Sequence, residues 1–295
     1  MSVVGIHAGL SVDHLVTEGR GARFSCLGGP AVFAALGARL VEGTRVRVGC
    51  PLPADDPRFA ALFTALGIDT TCATTVPEAT RLWILNSRRG RRIVGLTAPS
   101  PVELGGDEPG NEDALPDPGA GFHHGLTGLL ASAPGSAPPR SAAPVIGIDP
   151  HQTHVAAEGM AHLSAVAAHA DVVLPSRVQL TLLDRDPRRA ARDLAARLGI
   201  PVVARLDADG AYVVTSAGAW SVRDRRAEVV ETTGAGDASA AAVVAALARG
   251  AEPVEAAAFG TSVARIALAG WGHEALEHAA ALSAPLPGII THKEQ

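Results

Sequence analysis

The segment of the chain best suited to chemistry is a glycine turn, ETTGAGDAS at positions 231–239, which leads into an alanine-rich helix predicted from Ala238 to Arg249. Backbone amides at a helix start lack acceptors within the helix, and the helix dipole adds positive potential there. Glycines at 234 and 236 allow a ligand to approach the amides of Ala235, Gly236 and Asp237 closely. The turn therefore predicts an anion site beside the Asp237 carboxylate, which is suited to take a proton from an attacking hydroxyl.

The same residues also fit a purely structural role. Thr233 or Asp237 would then cap the helix, and the glycines would only form a tight turn. Local chemistry does not separate these two interpretations, because short glycine motifs often occur by chance.

The composition excludes several kinds of chemistry. Lys293 is the only lysine, so a P-loop or Schiff-base mechanism lacks the residue that it needs. The net charge of -5, without a dense basic block, argues against nucleic-acid binding. The three cysteines are widely spaced and form neither a disulfide framework nor a zinc ligand set. Because no signal peptide or long apolar span is visible, we expect a cytoplasmic protein that does not enter a membrane.

Short apolar runs alternate with helix-length segments rich in alanine and leucine. The runs predict buried parallel strands at 3–6, 46–49, 145–149, 171–174 and 202–204. The segments predict helices at 31–40, 58–66, 155–169 and 188–198, two of them capped by Gly67 and Gly199. Such alternation predicts an α/β protein with a layered sheet covered on both faces, and surface loops at 107–121 and 132–144.

Two stretches, near residues 12–27 and 81–97, interrupt this alternation. The second predicts an antiparallel hairpin whose tip carries an arginine cluster at 88–92. A small β element of this kind is suited to cover a ligand cleft as a lid. We expect the arginines of the tip to lie in solvent, with contact to a phosphate as the alternative.

The glycine turn resembles the second signature of the ribokinase-like, or PfkB, family of small-molecule kinases, DTTGAGDAF. Only Glu231 and Ser239 differ from that pattern. The segment GGPAVFAA at 28–35 is similar to the first signature, a glycine pair that opens a helix, and SVDHL at 11–15 follows the first strand as the family's substrate-binding Asp does. The resemblance extends over essentially the whole chain and favours the catalytic interpretation of the turn over the capping one.

The resemblance implies a ribokinase-like three-layer fold over residues 1–295, with a mainly parallel central sheet flanked by helices and a small β lid. It implies an ATP-dependent phosphotransferase that acts on a hydroxyl of a small polyhydroxylated acceptor, which is a sugar, a cyclitol or a nucleoside. Mg²⁺ is expected with the ATP, and many relatives also bind a monovalent cation beside the segment that matches 231–233. A homodimer that pairs through the lid, with Trp83 on its apolar side, is a further expectation.

The residue roles that the resemblance implies fall into four groups. Asp237 is the expected general base, and Gly234, Ala235 and Gly236 complete the anion hole. The expected substrate-binding residues are Asp13, Gly28, Gly29 and Phe33. The expected nucleotide-binding residues are Arg205, Asp207, Gly210 and Thr233. The candidate metal ligands are Glu231 and Gln179.

Three residues depart from the family pattern. Phe33 replaces the asparagine that contacts the sugar, which predicts a change of substrate or, alternatively, a simple core residue. Gln179 replaces the glutamate of the N-x-x-E motif, which organises water around the magnesium ion. Asp207 replaces a glycine, so the nucleotide-side loop is expected to differ. These departures leave open a degenerate family member that binds a nucleotide or sugar without efficient turnover, although the intact Asp237 argues against it.

Two further interpretations have less support. An NAD-binding Rossmann enzyme would carry the pattern GxGxxG after the first strand, and this chain does not. His151 and His154 are a possible metal pair, but no carboxylate stands at a useful spacing, so solvated side chains are expected instead.

Overall fold

The computed structural model of the protein describes residues 1–95, 115–132 and 143–294. The loops predicted at 107–121 and 132–144 lie largely outside the described residues, as do positions 96 and 97 of the predicted hairpin.

In the described ranges the strands are β1 (Ser2–His7), β2 (Ser11–Thr17), β3 (Gly21–Gly28), β4 (Thr44–Val48), β5 (Leu52–Pro53), β6 (Thr75–Val76), β7 (Thr80–Ser87), β8 (Gly90–Gly95), β9 (Gly128–Ser132), β10 (Val145–Asp149), β11 (Val172–Val173), β12 (Val202–Arg205), β13 (Ala211–Thr215), β14 (Gly218–Asp224) and β15 (Ile289–Lys293). The α-helices are α1 (Pro30–Arg39), α2 (Arg58–Ala65), α3 (Ala120–His123), α4 (Gln152–Glu158), α5 (Met160–Val166), α6 (Arg177–Thr181), α7 (Pro187–Leu198), α8 (Ala235–Ala248), α9 (Pro253–Leu268) and α10 (Glu274–His278). None of these described helices has the length and apolar character needed to cross a bilayer.

The larger sheet of the described residues has nine strands, in the order β15-β14-β13-β12-β11-β10-β9-β1-β4. Strands β12 to β4 in this order run parallel to one another. Strands β13, β14 and β15 are antiparallel to their neighbours and form one side of the sheet. The predicted mainly parallel central sheet is therefore confirmed, with an antiparallel extension that the sequence analysis does not predict.

Both faces of the central strands are buried. Val172 and Val203 pack into the same hydrophobic cluster as helices α1, α8 and α9. Their chain neighbours Val173 and Val202 point the other way and pack with residues of α5 and α7. Because successive side chains of a strand point to opposite faces, this alternation places the sheet between two layers of helices.

Helix α8 approaches its neighbours unusually closely. All its residues from Ala238 to Ala246 are buried, and most are alanine. A Cβ at Gly37 of α1 would lie 2.3 Å from the carbonyl oxygen of Ala238, and one at Gly147 of β10 would lie 2.4 Å from Val244. A Cβ at Gly260 of α9 would lie 2.7 Å from a methyl group of Val243. Glycines on three neighbouring elements therefore allow the close packing that fixes the position of α8.

The predicted lid is a separate sheet of four strands, in the order β3-β2-β7-β8 in the described part of the chain. Strand β2 pairs antiparallel with β3 and parallel with β7, and β7 and β8 form the predicted hairpin. We call these four strands the lid sheet. Because β2 follows β1 after three residues, the lid sheet is joined to the carboxyl end of a central strand.

Two helices differ from the sequence prediction. The helix predicted at 155–169 is divided into α4 and α5, because Gly159 adopts φ 57° and ψ -130° between them. Helix α8 begins at Ala235, three residues before the predicted start, so residues of the glycine turn form its first turn. Gly67 and Gly199 have positive φ values, as predicted for helix caps.

We expect Gly37→Ala to destabilise the protein, although alanine in a helix interior is favoured over glycine by about 1 kcal/mol. The new methyl group would meet the backbone of α8, and overpacking of this kind costs about 1 to 3 kcal/mol. Gly121→Ala in α3 is the matched control, because its Cβ would lie 3.7 Å from Cys72 Sγ, an ordinary contact. The free energy of unfolding in urea measures both, and a Gly37→Ala protein as stable as the parent would contradict the close contact.

Candidate active site

Several predicted site residues meet at one edge of the central sheet. Strand β12 ends at Arg205, and the Arg205 guanidinium bonds to Asp149 at the end of β10. The Arg205 charge also acts on Asp237 in the first turn of α8. The lid sheet reaches the same place, since Asn86 of β7 donates a hydrogen bond of 3.0 Å to Glu231. In open parallel sheets, ligands bind at the carboxyl ends of the strands, which is where these residues lie.

The turn before α8 leaves the Gly236 amide open to a ligand, whereas the Ala235 N–H bonds to the Thr232 carbonyl oxygen at 3.4 Å. Gly234 is the N-cap residue in the left-handed conformation, with φ 75°, and no side chain caps the helix. Gly236 is exposed, and its N–H meets no hydrogen-bond acceptor among the described residues. The Thr233 hydroxyl instead donates to Glu231 Oε1 at 2.7 Å. The geometry thus disfavours the interpretation of Thr233 or Asp237 as a simple helix cap.

Asp237 is half-buried in the first turn of α8. Burial raises the pKa of its carboxyl group, and the guanidinium groups of Arg205 and Arg91 oppose this rise. A carboxylate whose pKa is raised towards neutrality is better suited to accept a proton than an ordinary surface Asp. Because Arg91 belongs to β8, the lid sheet brings a positive charge towards this carboxylate.

A buried ion pair lies behind the turn. Arg205 Nη2 donates to Asp149 Oδ1 and to the carbonyl oxygen of Leu174, the latter at 2.7 Å. Burial raises the pKa of Asp149, Arg205 opposes the rise, and the Asp237 carboxylate adds to it. Asp149, Arg205 and Asp237 therefore form one electrostatic group, in which a single guanidinium compensates two carboxyl groups.

Glu231 is buried, and only one of its carboxylate oxygens is satisfied. Oε1 accepts hydrogen bonds from the Thr233 N–H at 2.8 Å, the Thr233 hydroxyl and the Asn86 amide. Oε2 has no hydrogen-bond partner among the described residues. A buried carboxylate oxygen without a donor costs free energy, and a cation beside it would relieve that cost.

Asp13 is buried at the junction of the lid sheet and helix α1. The Ser11 hydroxyl donates to Asp13 Oδ1 at 2.6 Å, and the Gly29 N–H also binds the carboxylate. A Cβ at Gly28 would lie 2.0 Å from Asp13 Oδ2, so only glycine fits there. Burial raises the pKa of Asp13 to about 6 in spite of these donors. The glycine pair thus holds the carboxylate whose predicted role is to bind acceptor hydroxyls.

The ring of Phe33 packs against the glycine turn. Phe33 is only 2% exposed, and a Cβ at Gly234 would lie 2.0 Å from Phe33 Cγ. Both this contact and the positive φ therefore require glycine at 234. The packing agrees with the alternative of a core residue for Phe33, and its contact with an acceptor stays a prediction.

The predicted nucleotide-side loop has, at Asp207, a backbone conformation that favours glycine. Asp207, which stands where the family has glycine, adopts φ 50° in the left-handed region. Arg177 Nε pairs with Asp207 Oδ2 at 3.0 Å, and Arg177 Nη2 pairs with Asp209. Gly210, at φ 79°, closes the turn by accepting the Leu206 N–H at 2.7 Å. Two ion pairs to Arg177 therefore accompany the unusual conformation of Asp207.

Gln179 is buried, and its side-chain amide is used within the protein. Its Oε1 accepts from the Ser176 N–H at 2.5 Å, and its Nε2 donates to the Pro150 carbonyl at 2.6 Å. The first bond belongs to a capping box at the start of α6. The predicted metal contact of Gln179 has no support in this geometry, because both polar ends of the amide already have partners.

His151 and His154 lie near each other, with 6.3 Å between their ring centroids. No group of three or more His, Cys, Asp or Glu within the described ranges is placed to hold a metal ion. His154 stacks instead on His162, with 5.1 Å between the ring centroids.

The sequence does not identify three residues that belong to the site: Asn86, Asp149 and Arg177. Asp149 ends a predicted parallel strand, and that position alone could have indicated it. Asn86 and Arg177 carry no comparable signal, because their roles depend on strand register and loop conformation.

The chain is similar to known kinases in part of its sequence and in its fold. Residues 141–275 match the family model described as pfkB family carbohydrate kinase. Ribokinase from Thermotoga maritima is 20% identical, with 94% of this chain and 98% of that chain covered and a TM-score of 0.67. Aminoimidazole riboside kinase from Salmonella enterica, solved with aminoimidazole riboside and an ATP analog, is 22% identical, with 93% and 96% covered and a TM-score of 0.66. A structure from E. coli with ATP and Mg²⁺ is 16% identical, with 92% and 94% covered and a TM-score of 0.67. No curated protein sequence matches the chain.

The fold is therefore the ribokinase-like α/β fold, as the sequence predicts. The predicted resemblance to the PfkB family is confirmed by the family model over residues 141–275 and by the ribokinase-family kinases among the structural neighbours.

We expect Asp13→Asn to stabilise the ligand-free protein more at pH 8 than at pH 4.5. The folded pKa of about 6 lies above the unfolded value of 3.8, so Asp13 favours folding at low pH and loses that contribution as the pH rises through 6. At about 1.4 kcal/mol per pKa unit, the effect of the substitution should differ by about 2 kcal/mol between the two pH values. Urea unfolding of both proteins measures this difference. An effect that does not depend on pH would contradict the raised pKa.

Proposed function

We propose that the protein is a PfkB-family kinase that uses ATP to phosphorylate a hydroxyl of a small polyhydroxylated acceptor, either a sugar, a cyclitol or a nucleoside. The observation that carries this proposal is the uncapped start of α8, where Asp237 stands beside an exposed glycine backbone. Asp13 of β2, which lies beside the glycine pair before α1, provides a second buried carboxylate for hydroxyl groups. The whole chain, residues 1–295, would act as one kinase unit with the lid sheet over the acceptor.

In the proposed reaction the acceptor lies between Asp13, the glycine pair at 28 and 29 and the lid sheet. Asp237 takes the proton of the attacking hydroxyl. The new bond joins the acceptor oxygen to the γ-phosphorus, and the bond from that phosphorus to the bridging oxygen breaks, so that ADP leaves. The amides of residues 234–237 donate to the phosphoryl oxygens while this charge develops.

The nucleotide side of the site would use Arg205, Asp207, Gly210 and Thr233. Mg²⁺ supplies charge neutralisation of the phosphates when it is bound. Glu231 is suited to bind a monovalent cation, since its Oε2 lacks a partner among the described residues. Gln179 is less suited to bind a divalent cation, since both polar ends of its amide already have partners. The same Gln179 geometry motivates the second candidate, a protein that binds a nucleotide or sugar without efficient turnover.

Asp237→Asn tests the reaction directly, after ATP consumption by the parent has been screened against sugars, inositols and nucleosides. We expect kcat to fall by about 10² to 10⁴, the usual contribution of general-base catalysis, while the acceptor KM changes much less. Asp186→Asn is the matched control, because Asp186 caps α7 through its side chain and Asn caps a helix about as well. A well-folded Asp237→Asn protein with the parental kcat would contradict the proposed mechanism.

We also propose that the protein forms a dimer through the outer face of the lid sheet. Three aromatic rings cluster there: Trp83 lies 4.9 Å from His14 and 5.8 Å from Phe24 between ring centroids, and Phe24 is 61% exposed. Exposed aromatic residues of this kind are typical of interfaces.

Trp83→Ala should weaken association in sedimentation experiments, because it removes the central ring of this cluster. Trp220→Ala is a control, since Trp220 packs under Lys293 at the opposite side of the central sheet. An unchanged sedimentation coefficient for Trp83→Ala would remove the lid interface from the proposal.

A further inference from the structure

The guanidinium group of Arg205 has one side engaged and one side open. Its Nη2 makes both hydrogen bonds of the side chain, to Asp149 and to the Leu174 carbonyl. Its Nη1 makes no hydrogen bond with any described residue and is accessible to solvent, whereas its Nε is buried. A Cβ at Gly236 would lie 2.9 Å from Nη1. The free amino group therefore lies against the backbone of the open glycine turn.

A purely structural ion pair does not account for this arrangement. Arg and Asp that stabilise a fold usually pair through two parallel hydrogen bonds, whereas only one Arg205 nitrogen binds Asp149. Nε is buried without any partner among the described residues. The guanidinium therefore keeps N–H donors that its two neighbouring carboxyl groups do not use, and an oxygen of an anionic ligand on the open side would accept from Nη1.

Within the described ranges, Arg205 and Arg91 are the arginines whose charge acts on the Asp237 carboxylate in this turn. Lys293, the single lysine, lies 5.2 Å over the ring of Trp220 on the outermost strand β15. Arg177 is held by Asp207 and Asp209. Arg91 belongs to β8 of the lid sheet, whereas Arg205 ends β12 of the central sheet.

We infer that Arg205 is a catalytic residue that stabilises the transferring phosphoryl group, and that Asp149 is the positioning residue that directs it. This inference rests on the proposed kinase function and assigns Arg205 to the transferred γ-phosphoryl group instead of the ADP part of the nucleotide. Nη1 donates to a non-bridging oxygen of the γ-phosphoryl group, beside the amides of the turn. The charge on these oxygens is compensated while the acceptor oxygen bonds to phosphorus, ADP leaves and the proton passes to Asp237.

Steady-state kinetics of Arg205→Ala separate this role from nucleotide binding. Loss of one such donor lowers kcat by about 10² to 10³, whereas the KM for ATP should change by less than about threefold. Arg192→Ala is the control, because Arg192 of α7 also donates a side-chain hydrogen bond, to the Tyr212 hydroxyl of β13, and lies in the helical layer that does not contain α8. A raised KM for ATP with an unchanged kcat would overturn the inference and leave Arg205 as a nucleotide anchor.

Two further measurements exclude a merely structural effect. Guanidinium chloride below denaturing concentrations should restore part of the kcat of Arg205→Ala in a saturable way, and should not affect the Arg192→Ala control. Asp149→Asn should lower kcat less than Arg205→Ala, and the acidic limb of its pH profile should move to lower pH, since a negative charge near Asp237 is removed. Absence of rescue in a well-folded Arg205→Ala protein would overturn the catalytic role.

A binding experiment distinguishes failure of this inference from failure of the proposed function. ADP with aluminium fluoride imitates the transferring phosphoryl group, and ADP alone does not. We expect Arg205→Ala to bind ADP with aluminium fluoride at least tenfold more weakly than the parent does. Its affinity for ADP alone should stay unchanged. If the parent phosphorylates no acceptor but this difference is found, the proposed function fails and the charge-stabilising role of Arg205 stands. Equal losses for both ligands would overturn the role of Arg205 whether or not the parent is a kinase.

Discussion

Close packing of helix α8 against its neighbours is the constraint on which the candidate site depends. Phe33 meets Gly234, and Gly37 meets Ala238, so residues four apart on α1 contact residues four apart on α8. The two helices therefore run in the same direction and contact each other along one face. Helix α1 starts at the glycine pair whose Gly29 N–H holds the Asp13 carboxylate, and α8 starts at the turn that carries the proposed base. One helix pair thus sets the spacing between the two carboxylates that the reaction would use.

Burying several carboxylates in one site costs free energy, and different kinds of hydrogen-bond donor offset that cost for each of them. A hydroxyl and a backbone amide stabilise the Asp13 carboxylate. Thr233 and Asn86 donate hydrogen bonds to Glu231. The guanidinium of Arg205 acts on both Asp149 and Asp237. Neighbouring carboxylates raise one another's pKa values and repel a phosphate, so an anionic ligand needs positive charge at the same edge. Backbone amides and arginine are the groups that this chain places there, in keeping with its single lysine.

The sequence could predict the features that depend on local patterns. Apolar runs and alanine-rich segments predicted the parallel strands and most helices that frame the site, and glycine motifs predicted the turns at 28–29 and 234–236. The antiparallel strands β13, β14 and β15 were not predicted. Strands β13 and β14 follow one another without the helix that marks parallel units, and β15 returns to the sheet only after α8, α9 and α10. The Asp149–Arg205 pair escaped for another reason, since it joins residues 56 positions apart and its geometry depends on the order of strands in the sheet. Similarly, no local pattern indicates that the Phe33 ring would pack on Gly234 rather than face an acceptor.

Three departures from the family pattern, Asp207, Gln179 and Phe33, each have matching neighbours in the fold, and this favours the proposed working site over a decayed one. Asp207 keeps the left-handed backbone expected of glycine and is paired with Arg177. Gln179 closes a capping box with Ser176 instead of leaving an unpartnered amide. Loss of function removes the constraint on such positions, so substitutions that accumulate without selection would be expected to leave unpaired groups and cavities. Phe33 likewise fills the space above Gly234 completely enough to exclude any side chain there. Glu231 is the exception among the substituted residues, since its Oε2 has no partner among the described residues. The other three substitutions are thus built into the fold, and they are better explained by the proposed change of substrate than by loss of function.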